Sequence, residues 1–169
     1  AIFAAANAND FTAAATALAS LTGAWNTYQT GQVPPLLKAE MARVLALLET
    51  LVDGQVVADT RDEAIALARV IVDLRLRYQP IAEIDQLRLD LWMAQVEVDA
   101  AESAFGDIRG DAATAALVFD RFRRTLSTSL AGDVAAKLSQ LSAAAEADDA
   151  VNAALVASQI RAALSVGWR

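Results

Sequence analysis

"IDQLRLDLWMAQVEVDAAESAF", residues 84–105, carries apolar side chains at Ile84, Leu87, Leu91, Ala94, Val98, Ala101 and Phe105, alternating by three and four without a miss. That spacing lays one stripe along one side of an α-helix, and the run is far too long for a strand. The predicted helix opens after Pro80, near Ile81, and ends at Phe105, with Gly106 as its stop. One position further along the chain, Asp85, Arg88, Trp92, Gln95, Asp99 and Glu102 repeat the same spacing. They are expected to border the dry stripe, with their stems covered and their heads in water.

The same periodicity extends outward on both sides. Upstream, a helix capped by Asn9 or Asp10 carries Phe11, Ala14, Leu18, Leu21, Trp25 and Tyr28, and "TGQVPP" ends it. A second opens at Pro34–Pro35, carries Leu37, Met41, Val44, Leu48 and Leu51, and stops at Gly54. The capping-box pattern "TRDE", Thr60 to Glu63, predicts the start of a third, which carries Leu67, Ile71 and Leu74. Downstream, Asp111 is the expected cap of a helix bearing Ala115, Phe119, Phe122 and Leu126. Gly132 and Asp133 mark a further restart, and Asp148 or Asp149 either caps a last helix or sits in a continuous bent one.

Short connections force successive helices antiparallel, and no segment reads as a strand. The fold class is therefore an all-α, mostly antiparallel up-and-down bundle of six or seven helical segments. A length of 169 residues fits one domain, 1–169. The opening "AIFAAANAND" resembles the end of a secretory signal, so residues 1–8 are expected to be a flexible or signal-derived stretch on an exported, extracytoplasmic protein.

"DAATAALVFDRFRRTLS" from Asp111 and "DAVNAALVASQIRAALS" from Asp149 share nine of seventeen residues at an offset of 38. Three of the nine are alanine, the preceding residues barely match, and solenoids need about three repeats for stability, so no solenoid is expected.

Composition closes off several function classes. There is no histidine and no cysteine, which removes Ser-His-Asp triads, zinc helices, histidine-bearing di-iron sites and thiolate chemistry. No phosphate-cradling glycine motif is present. The net charge of -7 repels phosphate backbones, so nucleic acid is not an expected partner. From Phe11 to Leu37 no side chain is charged, but Thr12, Thr16, Ser20, Thr22, Asn26 and Thr27 keep the run too polar for a transmembrane segment.

Charge is concentrated around the quoted helix: eight acids against two bases lie between Ile81 and Asp111, which carries -6 of the -7. Two readings follow. The first is a non-enzymatic interaction or scaffold protein that binds another protein or itself through a helix face. Its expected contact residues are Asp85, Arg88 and Trp92 on the quoted helix and Arg121, Arg123 and Arg124 in the basic run "DRFRR". The alternative is a divalent-cation or small-ligand binding protein that uses Asp99, Glu102, Asp107 and Asp111 as oxygen ligands. No cofactor is expected beyond such a cation.

Overall fold

The computed structural model describes residues 1–166. These form eight α-helices and one 3-10 turn, with no strand among the described residues. The expected all-α, helix-on-helix architecture is what forms. The residues gather into two compact units, Ala1–Arg77 and Tyr78–Arg169, each with its own buried core, where chain length had pointed to a single domain.

The first unit comprises α1 (Ile2–Asn7), α2 (Phe11–Tyr28), α3 (Pro35–Asp53) and α4 (Val57–Arg75). Each helix packs on the next, and α1 closes the ring against α4. Leu18 and Trp25 of α2 meet Met41, Val44 and Leu48 of α3 and Leu67 and Val70 of α4 in its core. Burial of Ile2 and Ala6 anchors α1, and Phe3 lies 5.9 Å from the Arg61 guanidinium. Apolar burial of this kind holds so short a helix, which would not form alone.

The second unit comprises α5 (Ile81–Glu102), α6 (Phe105–Phe122), the 3-10 turn Arg123–Thr125, α7 (Thr128–Glu146) and α8 (Ala150–Val166). It too forms a ring, α5 on α6, α6 on α7, α7 on α8, and α8 back on α5. Its core takes Leu89, Met93 and Val96 from α5, Phe119 and Phe122 from α6, Leu141 from α7 and Ile160 from α8. No helix among the described residues is long and apolar enough to cross a membrane.

Several ends differ from the sequence reading. Asp10 does cap α2, accepting from Ala13 N–H at 2.9 Å, and Asp149 accepts from Asn152 N–H at 3.0 Å, so α8 is separate from α7. By contrast, α4 begins at Val57, and Thr60, no longer a cap, donates its hydroxyl to Val56 O at 2.5 Å. Gly106 does not stop α5, and Asp111 does not cap α6. The turn comes earlier, at Ser103, and α6 runs through Gly106, Gly110 and Asp111. Gly132 likewise lies inside α7, whose cap is Ser127, accepting from Leu130 N–H at 3.2 Å.

One turn geometry recurs four times. Asn9, Gln55, Ser103 and Asp148 all take left-handed backbone, with φ of 57°, 55°, 57° and 53°. Each is followed by an N–H reaching five residues back: Asp10 to Ala5 O, Val56 to Leu51 O, Ala104 to Asp99 O and Asp149 to Ala144 O, all within 2.8–3.0 Å. This is the Schellman closure, and it ends α1, α3, α5 and α7.

The two units also correspond to one another, helix by helix. Phe11 and Phe105, 94 residues apart, open α2 and α6, which are both 18 residues long. Gln55 and Asp148 are 93 apart and end α3 and α7, both 19 residues long. Buried positions fall in register at these offsets, as with Ile2 and Val96, Leu48 and Leu141, and Leu67 and Ile160. An aromatic pair one turn apart also recurs: Trp25 and Tyr28 ring centroids are 5.9 Å apart, Phe119 and Phe122 5.7 Å. The offset of 38 has no such counterpart, because Asp111 lies inside α6 whereas Asp149 caps α8.

Candidate functional site

The acidic row of α5 is not a wet border. Between Ala82 and Ala100 no residue of α5 is exposed. The stripe facing the unit's core is Leu89, Met93, Val96 and Ala100, beside the stripe read from the sequence rather than on it, while Ile84 and Val98 are buried as well. With apolar residues on both sides, the periodicity describes a helix buried all round. Asp85 is only 2% exposed and sits between Arg88 Nη1 at 2.9 Å and Arg121 Nε at 3.0 Å. Two guanidiniums offset the cost of burying that carboxylate. Trp92 packs, partly buried, against the core.

Of the residues expected to meet a partner, Asp85 is buried, Arg88 and Trp92 are half-buried, and Arg121 stays exposed while its Nε joins α6 to Asp85 of α5. Of the basic run, Arg123 remains exposed and pairs with Asp120 at 3.4 Å, and Arg124 is exposed. Arg161 of α8 takes up two further acids of α5, Asp90 at 3.0 Å and Glu97 at 2.9 Å. Burial is the largest single influence on the Arg161 guanidinium and works to lower its pKa. The two carboxylates together outweigh it and hold the pKa above the usual value.

The four carboxylates proposed as cation ligands are not assembled either. Asp99 is buried and accepts from Gln95 Nε2 at 3.1 Å, Glu102 and Asp107 are exposed, and Asp111 is half-buried inside α6. The early turn at Ser103 is the reason, since it puts Asp107 and Asp111 on α6 instead of on a loop beside Glu102. Among the described residues, no group of three or more carboxylates is placed to hold a metal ion.

A different surface stands out in the first unit. A half-open groove of about 660 Å³ runs between α2 and α3. Leu18, Leu45 and Val52 form its floor, Ala15, Ala19 and Gly23 its α2 bank, and Glu49 and Asp53 the rim on α3. Its depth follows from small side chains spaced by four on α2, and a Cβ added at Gly23 would meet nothing within 4 Å. The exposed side of α2 carries no charge at all.

Cations of α3 do not serve that rim. Arg43 is committed to Glu40 at 2.8 Å and to Glu63 at 3.3 Å. The hydrogen bond from Arg43 lowers the Glu40 pKa, whereas burial raises that of Glu63 against the opposing pull of the same arginine. Glu49 and Asp53, one turn apart and both exposed, have no ion pair among the described residues.

The sequence did carry a signal for this groove, the charge-free run from Phe11 to Leu37. It reads first as a buried helix, and only packing reveals that one side of α2 stays exposed. Comparison of the chain with family models, with curated proteins and with solved structures finds no match.

Proposed function

We propose that this protein is a non-enzymatic interaction module that holds a helical segment of another protein in the α2/α3 groove. The observation that carries this reading is the open groove beside the uncharged face of α2, on a chain in which 21% of residues are charged. A trough with an apolar floor and one polar rim matches the helix-in-groove mode of recognition, in which apolar anchors three and four residues apart fill the floor. The groove replaces the face read from α5 in this role, because Asp85, Asp90 and Glu97 of that helix already hold arginines of the second unit.

Gly23→Leu tests the proposal. The substitution fills the groove, meets no atom at its Cβ and removes a glycine from a helix interior, so the fold is expected to be at least as stable as before. A photo-reactive side chain at Ala19 should give a discrete covalent adduct with one partner protein, and Gly23→Leu should abolish it. An identical reporter at exposed Ser139 on α7 should give none. Adducts of equal yield from both positions, or an adduct indifferent to Gly23→Leu, would remove the reading.

A further inference from the structure

The correspondence between the two units indicates what the groove takes, an inference that rests on the docking reading above. In the second unit, Arg109 of α6 crosses to the end of α7, donating to Ala145 O at 3.3 Å and to Asp148 Oδ1 at 2.6 Å. At the offset of 94, the first unit has Ala15 in that place; at 93, Ala145 corresponds to Val52, which lies on the groove floor. Leu117 likewise stands where the first unit has Gly23. Along this line the second unit carries a guanidinium and an exposed leucine where the first has alanine and glycine. The acceptor of Arg109, Asp148, corresponds to neutral Gln55 in the first unit; the acids along the groove there are Glu49 and Asp53, which have no ion pair among the described residues.

We infer that the occupant of the α2/α3 groove is a basic amphipathic helix of a partner protein. Its apolar residues cover Leu18, Leu45 and Val52, and an arginine at its flank lies over Ala15 and pairs with the Glu49 and Asp53 carboxylates of the rim. Guanidinium suits the position, since it forks between a carboxylate and the carbonyls of a helix end, where negative charge accumulates. A symmetric contact with a second copy fits less well. It would bring Glu49 and Asp53 of both copies into one interface, with no lysine or arginine along the groove to separate them.

The test uses the whole chain, isotopically labelled for NMR, and two designed helical peptides. One carries leucines three and four apart with two flanking arginines one turn apart; its twin carries citrulline, neutral and of the same shape, in place of arginine. The arginine peptide is expected to shift the amides of Ala15, Gly23, Glu49 and Asp53 and to bind at least about tenfold more tightly than its twin. That advantage should disappear in Glu49→Gln/Asp53→Asn.

Ala15→Arg, which transplants the arginine of the second unit, should bind neither peptide while keeping or raising the melting temperature, which separates blocking from misfolding. If the twin binds equally well, the basic character of the partner is refuted and groove docking survives. If neither peptide moves groove amides of the wild type, both readings fall. A concentration-dependent dimer that Ala15→Arg dissolves would overturn the inference in favour of a second copy.

Discussion

Asp85 shows how a charge read as a surface feature becomes an interior one. Its pairing with Arg88, three residues on, was legible in the sequence, because that spacing places both on one helix face. Arg121 was not, because a short connection brings the next helix back beside α5 without saying which of its residues comes level with Asp85. Asp85→Asn removes the carboxylate that Arg88 and Arg121 share and is expected to cost about 1–3 kcal/mol in a urea titration, less than a fully enclosed pair because both arginines can rehydrate. Arg121→Gln should cost less, since Arg88 stays in place. A cost for Asp85→Asn within about 0.5 kcal/mol of zero would mark the triad as an ordinary surface pair. Glu63 gives a pH signature. Burial raises its pKa in the folded chain, so the fold binds more protons than the unfolded state between the two pKa values, and the contribution of Glu63 to stability falls as pH rises through that window. Glu63→Gln should flatten this part of the stability profile and keep or raise stability at neutral pH, as read by thermal melts across the acid range.

Helix interiors were far more legible than helix ends. The seams of α2 and α3 include Leu18, Trp25, Met41, Val44 and Leu48 as read, because a stripe repeated over four or five turns averages out local exceptions. Ends rest on one or two residues, and here the usual marker misleads: no glycine among the described residues has a positive φ, and four non-glycine residues do. Ser103 at φ 57° carries strain that glycine would relieve, so Ser103→Gly should raise stability by about 0.5–1 kcal/mol. Gly132 inside α7 has the reverse logic. A Cβ there meets nothing within 4 Å, and Gly132→Ala should add a similar amount. Differential melting of the two single variants and the double checks both, and at separate sites the gains should add.

For the chain as a whole, Leu48 and Leu141 occupy corresponding places in two separate cores. Either leucine, changed to alanine, should cost about 2–5 kcal/mol. Amide hydrogen exchange is expected to localise the loss: Leu48→Ala lowers protection most within Ala1–Arg77, and Leu141→Ala most within the second unit. Equal loss across all eight helices in both variants would contradict two cores. The correspondence at 93 to 94 residues escaped the sequence because it resides in which positions are buried rather than in which letters recur. The similarity at 38 was visible because it resides in recurring letters, and five of its nine identities are alanine or leucine, which any helix of this composition shares.

The uncharged side of α2 also governs how the molecule behaves in concentrated solution. With a net charge of -7, copies repel one another, and the uncharged face of α2 is a place where that repulsion is weak. As the medium is acidified toward the isoelectric point near 4.5, the repulsion fades and precipitation should start along α2, and a single lysine placed at Ser20 should delay its onset.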